Sequence, residues 1–166
     1  MGIRIGLIEE MQELWENSNS PTCRYFTKGM QQGNIEFWTV EDENSKELVG
    51  ELYIFWDSED KDEANGKGRA YLCAFRIHKD YRGLGYGKKL MMRVLDRVRE
   101  RGFNEVTIGV DNDDVERLTS MYSCWGFSEL IKYQYTDYHY IGKDGKPVTY
   151  EVPFGLYLNK LGKGEK

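Results

Sequence analysis

A single α/β domain is the fold class this sequence predicts, and three observations predict it. Short apolar runs of strand length alternate with stretches whose apolar residues recur at helical spacing. No internal repeat and no linker-like segment divides the 166 residues. A composition of 40% hydrophobic and 31% charged residues is that of an ordinary globular chain, long enough for one real core.

The elements follow in order. Ile3, Ile5 and Leu7 alternate as in a short first strand, and Ile8, Met11, Leu14 and Trp15 then recur at helical spacing until ENSNSP stops them. A second short helix is expected from Arg24 to Met30. Ile35 to Val40 and Leu48 to Trp56 read as a hairpin turned through EDENSKE. Asp57 to Gly68 is a long acidic, glycine-containing loop. Ala70 to Ile77 is nearly continuous in apolar residues, which predicts a strand buried on both faces. Leu90, Met91, Val94, Leu95 and Val98 mark one face of a helix from Gly85 to Arg101, with Gly102 as its stop. Val106, Ile108 and Val110 form the next strand. Asp113 and Glu116 have capping-box spacing before a helix with Val115, Leu118, Met121, Tyr122 and Trp125 on its buried face, closed by Gly126. Two last strands, Phe127 to Ile141 and Val148 to Leu158, turn at KDGKP, and residues 160–166 read as a disordered tail.

Charge and cysteines narrow the function classes. A formal charge of −5 argues against a nucleic-acid binder. Cys23, Cys73 and Cys124 are odd in number and far apart, so neither a disulfide framework nor a metal site is expected. With no leader-like pattern and no apolar run of membrane-spanning length, the expectation is a soluble cytoplasmic protein. Twelve tyrosines, crowded towards the C-terminus, make a homodimer contact one expectation.

The chemistry centres on DYRGLGYGKKL, Asp80 to Leu90. A strand feeding a glycine-rich turn and then a helix aims several backbone N–H groups one way, and the helix N-terminus adds about half a positive charge. Phosphate is the expected ligand, with Arg82, Lys88 and Lys89 adding charge. The G-x-G-x-G spacing is neither a dinucleotide fingerprint nor a P-loop. Arg82 to Gly87 instead resembles the R/Q-x-x-G-x-G/A signature of the GNAT family of N-acetyltransferases. The resemblance extends back to Phe75-Arg76-Ile77, similar to that family's fourth strand, and forward to YSCWGF at Tyr122 to Phe127, similar to its Y-x-x-x-G-F element.

The resemblance implies an acetyltransferase fold, with a central mixed, mostly antiparallel sheet flanked by helices, and acetyl-coenzyme A as cosubstrate without a metal. It implies that Arg82, Gly83, Leu84, Gly85, Tyr86, Gly87 and Lys88 hold the pyrophosphate. It further implies that backbone groups of Phe75 and Ile77 pair with the pantetheine arm, in a splay between the fourth and fifth strands. Tyr122 aligns with the family's general acid, a phenol of pKa near ~10 that protonates the departing thiolate; the alternative is a packed core tyrosine bonded to backbone. Two departures stand out. Val115 occupies the position where the family often has Asn, with Asn112 displaced from it, and no acid lies between Ala70 and Ile77 to act as base.

The missing base matters because a lysine-type amine of pKa near ~10.4 is almost wholly charged at neutral pH. Glu51, Glu36, His78 and His139 are candidates, with a solvent-facing strand position the alternative for Glu51. The acidic loop at Asp57, Glu59, Asp60, Asp62 and Glu63 is either an attractor for a cationic amine or a solvated surface. YQYTDYHY, Tyr133 to Tyr140, either borders the acceptor cleft or covers a core or dimer contact. Cys124 is read as a packed free thiol facing away from Tyr122. Together these features lean towards a small cationic amine as acceptor; a protein N-terminus or lysine, or a sensor that binds acyl-coenzyme A without chemistry, are the rivals.

Overall fold

In the computed structural model, residues 2–15 and 19–162 are described. The chain order is β1 (Gly2–Ile5), α1 (Ile8–Leu14), α2 (Pro21–Gln31), β2 (Ile35–Glu41), β3 (Leu48–Phe55), β4 (Arg69–Ile77), α3 (Tyr86–Glu100), β5 (Glu105–Val110), α4 (Val115–Cys124), β6 (Glu129–Ile141) and β7 (Pro147–Lys160), with 3-10 turns at Lys79–Tyr81 and Asn112–Asp114. Seven strands make one sheet in the order β1-β2-β3-β4-β5-β7-β6. Only β4 and β5 run parallel, so the sheet is mixed and mostly antiparallel, as expected.

Strand alternation sorts the apolar residues of β3 to two cores. Leu52 and Ile54 face Leu90, Met91, Val94 and Val98 of α3, while Tyr53 and Phe55 face Met11 of α1 and Cys23 and Phe26 of α2. α2 begins earlier than its apolar pattern suggests. Ser20 accepts from the Cys23 N–H at 3.1 Å and Pro21 occupies the first turn, where its missing N–H costs nothing. Leu7 is not in β1; it precedes α1, and its N–H donates to Glu10 Oε1.

Other expectations are corrected. β4 is buried on both faces only from Ala70 to Leu72; from Cys73 onward it is half-buried, with Arg76 exposed. Its pairing with β5 stops at Leu72↔Ile108, so the second half has no neighbour on that edge. Asp113 does not cap α4: Asp111 accepts from the Asp113 N–H and caps the 3-10 turn, and α4 starts at Val115 without a side-chain cap. Val115 is exposed because it sits in that first turn, ahead of the face formed by Leu118, Met121, Tyr122 and Trp125. Cys124 is an exposed thiol, not a packed one. Lys160 still pairs in β7 and the Leu161 N–H donates to Asn104 O, so order extends past the start of the expected tail. Residues 163–166 of that tail, and residues 16–18 of the expected stop after α1, lie outside the described residues.

Candidate active site

The splay is built by two local features. One extra residue on β4 shifts the β3–β4 register between Glu51↔Arg76 and Tyr53↔Cys73, and Ala74 within it takes φ of 55°. A left-handed alanine is uncommon and costs of order 1–3 kcal/mol, so the surrounding sheet must enforce the bend. Beyond it, Phe75 and Ile77 present an unpaired strand edge towards β5. A cleft of about 1770 Å³ follows this opening, from Lys79 and Arg82 at one end to Asp137, His139 and Tyr140 at the other.

At the first end lies the glycine turn. Gly83 and Gly85 have φ of 78° and 91°, values that disfavour any side chain, and neither has a protein atom within 4 Å of where a Cβ would stand. Gly87 makes a close approach instead: its Cβ would meet Phe75 Cζ at 3.3 Å and Ile77 Cγ1 at 3.4 Å. Among the described residues no acceptor is met by the amides from Gly83 to Lys88, and the first three belong to a loop leading into a helix N-terminus. The turn is anchored from its flanks. Arg82 Nε donates to Ile77 O at 3.0 Å, and the Tyr86 hydroxyl donates to Asp42 Oδ1 at 2.7 Å. Leu84 and Lys88 are exposed beside it. Free amides, a helix dipole and adjacent lysines suit a diphosphate, so these residues fit the coenzyme that the sequence implies.

Tyr122 lines the middle of the cleft from α4. Its ring packs among Phe75, Trp125 and Phe127, and none of the described residues hydrogen-bonds its hydroxyl. Burial pushes its pKa up to about 12, despite the opposing pull of Arg117. The phenol therefore holds its proton at any ordinary pH. Asn112 borders the cleft, and its Nδ2 donates to Val152 O and Pro153 O, each at 3.0 Å, tying the 3-10 turn to β7.

These elements match a known family. The sequence model of the Acetyltransferase (GNAT) family aligns with residues 5–127. The chain belongs to that family. It is an acetyl-coenzyme A-dependent acetyltransferase, and the match reaches far towards the N-terminus from the motifs legible by eye. Solved acetyltransferases share the fold at low identity. A spermidine N-acetyltransferase chimera from Vibrio cholerae and hSSAT has a TM-score of 0.67 at 13% identity, covering 97% of this chain and 96% of that one. An aminoglycoside 6′-N-acetyltransferase complexed with coenzyme A has a TM-score of 0.63 at 12% identity, covering 100% of both. A ribosomal-protein-alanine N-acetyltransferase from Brucella melitensis has a TM-score of 0.67 at 13% identity, covering 97% and 100%. No curated protein sequence matches the chain significantly.

The acceptor end of this acetyltransferase differs from what the sequence suggested. The acidic loop does not line the cleft. Asp57 pairs with Lys61, Asp60 and Asp62 with Lys132, and Glu63 is fully buried, accepting from Ser58 Oγ, Gln134 Nε2 and His139 Nε2, each at 2.8 Å. Of the base candidates, Glu36 is held by Arg97 and Trp38 against α3, and exposed His78 accepts from the Asp80 N–H. Glu51 is buried and lines the cleft, yet it is already taken by Arg76 Nε at 2.8 Å, the Tyr53 hydroxyl at 2.7 Å and Trp15 Nε1 at 3.0 Å. His139 lines the cleft with both ring nitrogens engaged, by Glu63 and by the Tyr25 hydroxyl. Tyr140 and Tyr150 stand at this end, while Tyr133 and Tyr135 are exposed on the sheet's outer strand.

Two cleft residues escaped sequence reading. Tyr71 of β4 is buried, with its ring stacked on His139 at 4.9 Å and its hydroxyl beside Gly109 of β5. Asp137 of β6 carries a half-buried carboxylate whose pKa is raised by burial. The alternation within YQYTDYHY placed Asp137 on a strand, and the family resemblance set that strand beside the acceptor cleft, but nothing singled out the residue itself.

Proposed function

We propose that this acetyltransferase moves acetyl from acetyl-coenzyme A directly to the amine of a small cationic molecule. The observation that carries this reading is a clasp at the acceptor end. Thr22 Oγ1, at the start of α2, donates to Ile141 O at 3.1 Å and accepts from the Ile141 N–H at 2.9 Å. The β6–β7 hairpin is thus clasped to α2, which bounds the acceptor end of the cleft on that side and favours a compact acceptor over an extended peptide. Its walls carry Glu51, Asp137 and Glu151 with the rings of Trp15, Tyr140 and Tyr150, a setting that favours an ammonium. Neighbours of the same fold that act on spermidine and aminoglycosides support the choice of acceptor class.

The residues take these roles. Amides of Gly83, Leu84, Gly85, Tyr86, Gly87 and Lys88, with Arg82, hold the diphosphate; backbone of Phe75 and Ile77 aligns the arm along the open edge of β4. When bound, acetyl-coenzyme A supplies an acetyl group on a sulfur leaving group. Tyr122 gives that sulfur a proton, which a phenol still protonated at neutral pH is suited to do. The three free cysteines fit a reducing cytoplasm.

Thiol release measured with polyamines, aminoglycosides and short peptides tests the acceptor class. Saturating turnover with a polyamine or aminoglycoside and none with peptides is expected. Turnover confined to peptides would replace the small amine by a protein acceptor, and tight coenzyme binding with no release would favour a sensor.

A further inference from the structure

Among the described residues, the half-buried carboxylate of the acceptor cleft that forms no ion pair with Lys or Arg is Asp137; Asp111, Asp113 and Glu151 also lack one, but they are exposed. Asp137 lies on β6 opposite Val148 of β7 and lines the cleft. Its Oδ1 accepts the His139 N–H at 2.9 Å, and no Lys or Arg among the described residues pairs with it. The other acids there differ. Glu51 is spent on Arg76, Tyr53 and Trp15, and exposed Asp111 caps a 3-10 turn. Glu151 is exposed to water.

Around Asp137, the backbone N–H and the ring of His139 favour its ionised form and Glu63 opposes it, while Arg76 and Lys143 line the same cleft without forming an ion pair with it among the described residues. Its charge acts on Tyr25 of α2, on Tyr71 and Cys73 of β4 and on Tyr150 of β7, and Glu63 of the acidic loop and His139 of its own strand act on it. Tyr71 and Cys73 flank the point where β4 parts from β5, which places this carboxylate beside the splay. A half-buried carboxylate among tyrosine rings, with no Lys or Arg paired to it, is costly alone and is relieved by a cation.

We propose that Asp137 is the residue that binds the acceptor ammonium and removes its proton. This rests on the small-amine reading above and supplies the base that β4 lacks. The nitrogen loses two protons in all. The first passes to an Asp137 oxygen, freeing the lone pair that forms the new N–C bond. The second leaves the nitrogen as the tetrahedral adduct collapses and, through water, restores to Tyr122 the proton that it gives to sulfur as the C–S bond breaks. Asp137 then releases its proton to solvent through the open cleft. Burial raises its pKa above the usual carboxylate value, which makes it a better base than an exposed aspartate.

The test is Asp137→Asn, which keeps an oxygen for the His139 N–H and so preserves the strand. Thiol release is followed with spermidine, and with whichever polyamine or aminoglycoside the wild type turns over fastest, across a range of pH. At neutral pH kcat/KM should fall by ~100-fold or more. The variant's rate should then climb about tenfold per pH unit towards the pKa of the amine, because it must wait for free amine, while the wild type levels off earlier. Coenzyme A affinity by calorimetry and Tm should stay unchanged. An Asp137→Asn protein within a few-fold of wild type, or one slowed equally at every pH, overturns the assignment. A wild type that acetylates no amine in the panel overturns the small-amine reading itself, and Asp137's role with it.

Discussion

Gly85 and Gly102 stand at opposite ends of α3 with nearly the same backbone angle, φ of 91° and 86°, and nothing within 4 Å of either missing Cβ. An alanine at either place meets no clash and suffers only the left-handed conformation, about 1–2 kcal/mol. For a chain of this length that is a fall in Tm of roughly 2–8 °C. The two variants should therefore be destabilised alike. They should differ in binding, because only Gly85 belongs to the turn whose amides are free. Relaxing its φ swings the neighbouring N–H away from the ligand, and one lost charge-assisted hydrogen bond of about 1.5–3 kcal/mol weakens coenzyme A roughly 10- to 150-fold. Differential scanning calorimetry reads the first effect and isothermal titration with coenzyme A the second. Equal coenzyme A affinity in Gly85→Ala and Gly102→Ala would refute the assignment of this turn to phosphate binding.

Other expectations follow from the same geometry. Tyr122→Phe should lower kcat by ~100-fold with coenzyme A affinity intact, and full activity in that variant would remove Tyr122 as the acid. Thr22→Val breaks both bonds of the clasp to Ile141, so steady-state kinetics should show a higher KM for the amine, and stability should fall by about 1–3 kcal/mol. Alkaline pH should unfold the protein. Tyr25 and Tyr122 have pKa values raised to about 12, and Tyr53 and Tyr71 are also raised, all chiefly by burial. A raised acid stabilises the fold below its unfolded pKa of about 10 and loses that contribution above it, so urea titrations should give a stability that drops steadily as pH climbs past about 10.

Much of this was legible in the sequence because it follows from local rules. The glycine turn needs particular backbone angles, and the apolar period of α3 marks its buried face; both are written in adjacent residues. Tyr122 was found through a motif, and its burial agrees with its place on the helix face. What stayed hidden depends on contacts between distant segments. For the acidic loop the sequence left an amine attractor and a solvated surface both open, and neither reading named Lys132 and His139, some 70 residues on, as its partners. Glu51 looked solvent-facing because the period of a strand says nothing about Arg76 or Trp15. The half-exposed end of β4 arises from a bulge at Ala74 and a parting from β5, and an apolar run carries no sign of either. Asp137 gained its interest from what does not pair with it, a property that no sequence spacing encodes.

The most direct measurement is a balance of products: free thiol by colorimetry and N-acetylated amine by mass spectrometry, from one reaction of protein, acetyl-coenzyme A and a polyamine, with the mass of the protein followed alongside. Direct transfer predicts one acetylated amine for each thiol released and a protein whose mass never changes. Thiol without acetylated amine, or acetyl lodged on the protein before the amine is added, would contradict it.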